Sequence, residues 1–452
     1  MSAQDLSSSF DRGDLLKALR DLTGREDVEL EDGIEVKRAT KGVEGFLSLV
    51  LRVKTPYRLG DGTKRSAWIV VKCMPKMGAQ QDMVKMIRAF PREGTFFEQV
   101  FPLLRKVAGG KISLPMPEAY YTKYGEDDDA IFMEDLGVQG FGTPTISYRV
   151  TGLDWEHCCL VMDAYGRYHA LVHAAEKLLP KETPTWPEAC PELARDPVLN
   201  SPGPNNSPVP FQGMLEQSVA TLIDIAKGLE GLPREVAVSG RMKEVLDNTF
   251  VTMRRFLKHD RDEPRILTHG DCWMNNSMFR YEKSADGRDV PVEVKFVDFQ
   301  VVRYCHPCLD LVYFFFASVR KAQREKHMDS LLGMYHDSFV KSLKSMNVDP
   351  PSYTLERFKS DMYNFYLGYG YIIESMFVPM MLLGEDFAPT NAEEFTAEKY
   401  NEFIETGKSS TVRNQYESDP NYRATLDEVV RDLVNHMFPD GADGPPSPLF
   451  LP

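Results

Sequence analysis

Residues 33–57 favour β-strands, and so does the β-branched run SAWIVVKCMP at 66–75. Between them YRLGDGTKRS carries the Gly and Asp residues of a hairpin turn. Residues 80–107 predict a helix with a break near Pro91, because Phe97, Val100, Phe101 and Leu104 recur at helical spacing. AIFMEDLG at 130–137 reads as a strand running into a turn. Beyond Gly140 the apolar period becomes helical near 155–178, 213–230, 241–258, 324–347 and 353–378, and short strands return only between 266 and 302. The stretch 181–210, rich in Pro, Asn and Ser, predicts a long irregular excursion over the surface. The closing GADGPPSPLFLP predicts a poorly ordered tail. The pattern predicts an α+β chain: a sheet-rich N-terminal lobe over 1–138, a mainly helical C-terminal lobe over 139–438, and a tail over 439–452.

The chemistry gathers where strands interrupt helices. LTHGDCWMNNSMF contains His269, Gly270, Asp271 and Asn276, and VKFVDFQ follows with Asp298, Phe299 and Gln300. H-x-D-x4-N followed some twenty residues later by D-F-x parallels a kinase catalytic loop and its metal-binding partner. Phosphoryl transfer needs a carboxylate to orient a hydroxyl and accept its proton, which suits Asp271, and a carboxylate with an amide oxygen to hold Mg²⁺ on the phosphates of ATP, which suits Asp298 and Asn276. Lys72 ends a buried apolar strand. A buried ammonium requires a partner, and Glu93 in the helical region that follows is the expected one, with Glu98 as the alternative. Gly42 and Gly45 in KGVEGFLSLVLRV could leave backbone N–H groups free to cover phosphates, although two glycines between strands also make an ordinary hairpin. Met133-Glu134-Asp135-Leu136 lies where a hinge would run, so the backbone around Glu134 and Leu136 is the expected adenine contact.

Charge and cysteine usage narrow the setting. A net charge of -14 over 452 residues gives no electrostatic drive toward nucleic acid or anionic membranes. The N-terminus lacks the basic and apolar regions of a secretion signal, and the longest apolar run, 311–318, is far short of a membrane span. Seven cysteines without regular spacing fit a reducing cytoplasm better than a disulfide framework.

Taken together, Lys72, F-x-x-E at 90–93, EDL at 134–136, YHAL around His169, THGDxWxNN at 268–276, VDFQ at 297–300 and P-x-x-D-L at 307–311 resemble the ecdysteroid kinase-like family, related to choline kinases and aminoglycoside phosphotransferases. The resemblance covers roughly residues 35–320. It implies a two-lobed protein-kinase-like fold, a small antiparallel sheet followed by a larger helical lobe, and transfer of phosphate from ATP to small-molecule alcohols, ecdysteroids among them. By position it implies Asp271 as base, Asn276 and Asp298 as Mg²⁺ ligands, Lys72 with Glu93 as the phosphate-positioning pair, and Asp310 as a structural support of the loop. The glycine loop, GVEGFLS, departs from the family's usual Asn and aromatic residue.

Competing readings lose on particulars. Cys305-His306-x-Cys308 has no second zinc half-site, and His169 with His173 lacks the glutamate of a zincin. A protein kinase would need A-P-E and an activation loop, for which Asp310, arriving twelve residues after Asp298, leaves no room. A catalytically inactive binding protein of the same fold would normally have lost a charged site residue. The acceptor is expected against residues 310–380, where Tyr313, Phe314, Tyr363, Tyr366, Tyr369 and Tyr371 are as readily core as pocket. The residues do not choose among a sterol-like, choline-like or amino-sugar acceptor, nor do they give an oligomeric state.

Overall fold

The fold is described from a computed structural model, which covers residues 10–39, 48–76, 78–125, 127–145, 147–199, 210–232, 236–237, 240–257, 264–383, 398, 409–441 and 444–452. Gly42 and Gly45 lie outside the described residues.

Six antiparallel strands form the first sheet: β1 (Val28–Leu30), β2 (Glu35–Arg38), β3 (Leu49–Leu59), β4 (Lys64–Cys73), β5 (Ala119–Lys123) and β6 (Ala130–Glu134), in the order β1-β3-β4-β6-β5 with β2 also on β3. In β3 the alternation is clean. Leu51, Val53, Thr55, Tyr57 and Leu59 are buried while Arg52, Lys54 and Arg58 face outward. The hairpin at YRLGDGTKRS forms as expected, with Arg58 opposite Lys64, Val50 opposite Lys72, and Gly62 at φ 84 in the turn. Helix α1 (Arg12–Thr23), capped by Asp11, adds Leu15, Ala18 and Leu19 to the apolar cluster on one face of the sheet.

The expected helix over 80–107 is three helices and a bulge. Helix α2 (Gly78–Met86) stops before Arg88, at φ 55, and α3 (Ala89–Thr95) starts beyond it. The break therefore precedes Pro91, which sits in the first turn of α3 where its missing N–H costs no hydrogen bond. A π-helical turn, Phe96–Val100, then leads into α4 (Phe101–Ala108). It presents Phe96 to stack on Phe299, with centroids 4.3 Å apart and planes 7° apart.

The rest is mainly helical around one large apolar cluster, interrupted by short strands. Phe141–Gly142 (β7) pairs with β9 (Ser277–Lys283), and β9 with β10 (Asp289–Phe296); β8 (Ile266–Thr268) pairs with β11 (Arg303–Cys305). Helices α5 (Trp155–Glu176), α6 (Cys308–Ser318), α7 (Lys321–Ser345), α8 (Leu367–Met381) and α9 (Pro420–Met437) supply most of the bulk. Two expectations fail here. The 181–210 stretch does not simply skirt the surface: Trp186 and Leu193 are fully buried, the Trp186 indole donates to the Val172 carbonyl at 3.2 Å, and Asp196 forms a buried ion pair with Arg303. Short helices at Trp186–Ala189 and Pro191–Ala194 satisfy the backbone that a Pro-rich sequence leaves exposed. The closing residues are also ordered by packing, because Phe450 is buried against Tyr371 and the Ser447 N–H donates to the Met437 carbonyl.

One buried polar cluster ties α5 and α6 to the loop after β8. Asp310 on α6 accepts the backbone N–H of His269 at 2.7 Å and of Gly270 at 3.0 Å, and His169 on α5 meets the same carboxylate at 3.1 Å while its other ring nitrogen contacts the Tyr335 hydroxyl at 2.9 Å. Burial pushes the Asp310 carboxyl up, but the hydrogen bond and charge of His169 outweigh it and bring the pKa from 3.8 down to about 2. A depressed folded-state pKa contributes stability above the unfolded value and loses it as pH falls through the folded one. Asp310→Asn is expected to cost at least about 2 kcal/mol in urea denaturation at pH 7. That pH-dependent part should shrink below pH 3.8 and be gone near pH 2. An equal cost at both ends of the range would refute this account of Asp310.

Candidate active site

Lys72 lies near the end of β4, one residue out of phase with Ile69 and Val71, which enter the sheet's apolar cluster. Its ammonium is directed to the opposite face, where it is only 6% exposed. There its Nζ lies 2.5 Å from the Glu93 carboxylate on α3 and hydrogen bonds Asp298. Glu98, the alternative partner, instead accepts the Tyr124 hydroxyl at 3.0 Å near the surface. Burial works against the Lys72 charge, yet Asp298 and Glu93 hold its pKa above the ordinary lysine value. Burial and the nearby Asp298 push the Glu93 carboxyl up, with Lys72 pulling the other way.

Asp298 follows β10 and adopts φ 73, ψ 64, a left-handed conformation that costs a non-glycine residue roughly 1 kcal/mol. The cost is tolerated because the next residues are held from several sides. Phe299 donates its N–H to Glu93 at 3.1 Å and buries its ring against Phe96 and His269, while the Gln300 amide donates to Asp298 at 3.1 Å.

The loop after β8 is shaped by its own side chains. Burial lowers the His269 pKa, so the ring is neutral. The Val297 carbonyl at 3.0 Å from Nε2 fixes the proton there, leaving Nδ1 to accept the Asp271 N–H at 3.3 Å. Gly270, at φ 86, admits no side chain, since a Cβ would fall 2.1 Å from the Val301 carbonyl oxygen. Asp271 then projects its carboxylate between Tyr313, whose hydroxyl donates to Oδ1 at 2.9 Å, and Asn276, whose amide nitrogen donates to Oδ2 at 2.8 Å. Burial, and after it the negative charge of Asp298, raises the Asp271 pKa from 3.8 to about 6, within reach of a proton acceptor at neutral pH. The Asn276 carbonyl accepts the Val297 N–H at 3.0 Å, which brings the end of this loop beside Asp298.

Lys72, Glu93 and Asp298 are thus joined directly, and Asp271 and Asn276 form a second pair within reach of the Asp298 charge. Among the described residues no group of three His, Cys, Asp or Glu side chains could cage a metal. The Asn276 amide nitrogen is spent on Asp271, leaving its oxygen as the ligand atom, and the Asp298 side chain is 25% exposed. One carboxylate and one amide oxygen, the carboxylate partly exposed, suit Mg²⁺ that takes its remaining ligands from phosphates and water. At the expected hinge, the Glu134 carboxylate is occupied by Lys295 at 3.2 Å, Gln139 and the Glu118 N–H, Asp135 pairs with Arg52 at 2.6 Å, and Leu136 is buried in a 3₁₀ turn. These side chains fix the path of the backbone. Of the aromatic residues considered for the acceptor, Tyr313 alone touches the site residues. Tyr366, Tyr369 and Phe314 are core, Tyr369 bonding Arg303, and Tyr371 meets His436. Gln300, Tyr313 and His169 carry parts in the arrangement that spacing alone did not assign.

A comparison with curated proteins finds no match. The model of the ecdysteroid kinase-like family matches residues 42–348, more than half of the chain. That span holds every side chain of the site from Lys72 to Tyr313, and by it the chain belongs to the ecdysteroid kinase-like family.

Proposed function

We propose that the chain is a two-lobed phosphotransferase, its lobes 1–138 and 139–438, that moves the γ-phosphoryl group of ATP to a hydroxyl of a small molecule with the help of Mg²⁺. The observation that carries this reading is the joining of Lys72, Glu93 and Asp298 into one ion-paired cluster facing the Asp271–Asn276 pair. Such a cluster is expensive to bury without a function, since each desolvated charge costs several kcal/mol before its partners offset it.

In this reading Lys72 holds the α- and β-phosphates, with Glu93 fixing its direction, and the backbone near Glu134 and Leu136 receives adenine. Gly42 and Gly45 would cover the phosphates. Asp298 and the Asn276 oxygen hold Mg²⁺, whose charge neutralises the phosphate oxygens. Asp271 accepts the acceptor's proton, and the Asn276 amide and Tyr313 hydroxyl keep that carboxylate from rotating. Phe377 packs 5.7 Å from Tyr313, an aromatic flank that suits a lipophilic alcohol such as an ecdysteroid, whereas a cationic amino-sugar would want carboxylates. A reducing cytoplasm is the compartment we propose, since all seven cysteines are free. No described helix is long and apolar enough to cross a membrane.

A screen of ATP consumption against steroids, choline-like alcohols and aminoglycosides, read by mass spectrometry, tests the reading and is expected to return a phosphorylated lipophilic alcohol. With that acceptor, Asp271→Asn should lower kcat by about 10²–10⁴ while leaving the affinity for Mg²⁺·ATP within about twofold. Turnover near wild type would remove Asp271 from the role of base. Asp298→Ala should abolish the Mg²⁺-dependent part of ATP binding in calorimetry; undiminished binding would mean the metal sits elsewhere. A protein that binds ATP yet phosphorylates nothing in the screen would favour the inactive binding protein.

A further inference from the structure

Residue 92 precedes Glu93 on α3 and is an arginine that phosphate chemistry does not require. Its side chain is 3% exposed, and its four hydrogen bonds among the described residues all go to backbone carbonyls. Nε donates to Gln300 at 3.2 Å and Nη2 to Val302, the oxygens at the C-terminal end of the 3₁₀ turn Phe299–Val301. Nη1 donates to Glu192, and Nη2 also to Arg195 at 2.9 Å, at and just beyond the short helix Pro191–Ala194. At the N-terminal end of the same 3₁₀ turn the Phe299 N–H is taken by Glu93. Two consecutive side chains of one helix therefore grip both ends of the turn whose N-cap is Asp298.

The grip matters because the turn has little stability of its own. Three residues of 3₁₀ helix make few internal hydrogen bonds, and the Asp298 conformation at their head is strained. We propose that Arg92 is a positioning residue: with Glu93 it clamps the turn 299–301 and so fixes the Asp298 carboxylate toward Lys72 and the metal-bound nucleotide. The inference rests on the reading of Asp298 as a metal ligand and adds a residue to it. Segment 192–195 becomes part of the same device, since it receives half of the guanidinium's hydrogen bonds. Only a planar fork of five donors serves four carbonyls in two segments; a lysine ammonium has three donors and no fixed plane. Burial lowers the Arg92 pKa to about 10, which leaves it charged at neutral pH and strengthens each bond.

ATP affinity measured calorimetrically with and without Mg²⁺ on the wild type, Arg92→Lys and Arg92→Met tests the clamp. Both variants are expected to lose about tenfold of the Mg²⁺-dependent gain in affinity, while metal-free ATP binding changes by less than about twofold. A general loosening of the fold would reduce both alike, and that result would overturn the proposal. A wild type with the gain and an Arg92→Lys variant that keeps it would overturn the clamp alone, whereas a wild type without any gain would overturn the metal reading and the clamp with it. If neither variant folds, amide hydrogen exchange on the wild type decides. Opening of 89–95 and 299–302 as one unit, with protection equal within about threefold, supports the clamp, and independent opening sinks it.

Discussion

The site depends on a lysine held out of water. At 6% exposure the Lys72 ammonium would be intolerable alone, and the surrounding structure reads as a set of answers to that problem. Glu93 must come from a helix that packs within ion-pair distance, so the chain breaks at Arg88 to start α3 at the right place. Asp298 must arrive from the other side, which requires a left-handed residue just beyond β10, and Phe299 must sink its ring beneath the loop to hold that residue there. Each requirement is local, but together they join segments separated by more than two hundred residues.

The Asp271 side of the site is supported differently. Burial and the Asp298 charge leave it a weak acid against a smaller pull from Arg303, and hydrogen bonds from Tyr313 and Asn276 hold it. Its backbone is fixed from below by Asp310, which takes two consecutive loop N–H groups and is itself braced by His169. Lys72 is satisfied by charge and Asp271 by neutral donors, so the carboxylate keeps its capacity to accept a proton.

Much of this was legible in the residues. The strand parity around Lys72, the H-x-D-x4-N spacing and the D-F-Q that follows need no structure to connect them, because the chemistry restricts residue types at fixed separations. What the chain order hid was contact across segments with no motif of their own. Trp186 sits among prolines, and only coordinates reveal that α5 offers its indole a carbonyl. Arg92 stood beside Glu93 in the motif, but its four carbonyl partners come from 192–195 and 300–302. The break expected near Pro91 falls three residues earlier, at Arg88, because proline is tolerated in a first helical turn, while Arg88 gives no sign in sequence of its positive φ.

The turn at residues 60–63, far out on the sheet, has a bearing on chemistry it never touches. Side chains on a strand exchange faces with each single step, and Lys72 is counted from that turn through the ladder that sets Arg58 against Lys64 and Val50 against Lys72. If the ladder slid by one residue there and neither the turn nor a bulge absorbed the change, the ammonium would swing into the apolar layer, with Val71 brought to meet Glu93 by a gain and Cys73 by a loss. An exposed tip can therefore vary in length only where the turn itself takes up the change, because the ladders to β3 and β6 behind it must keep Lys72 on its own face.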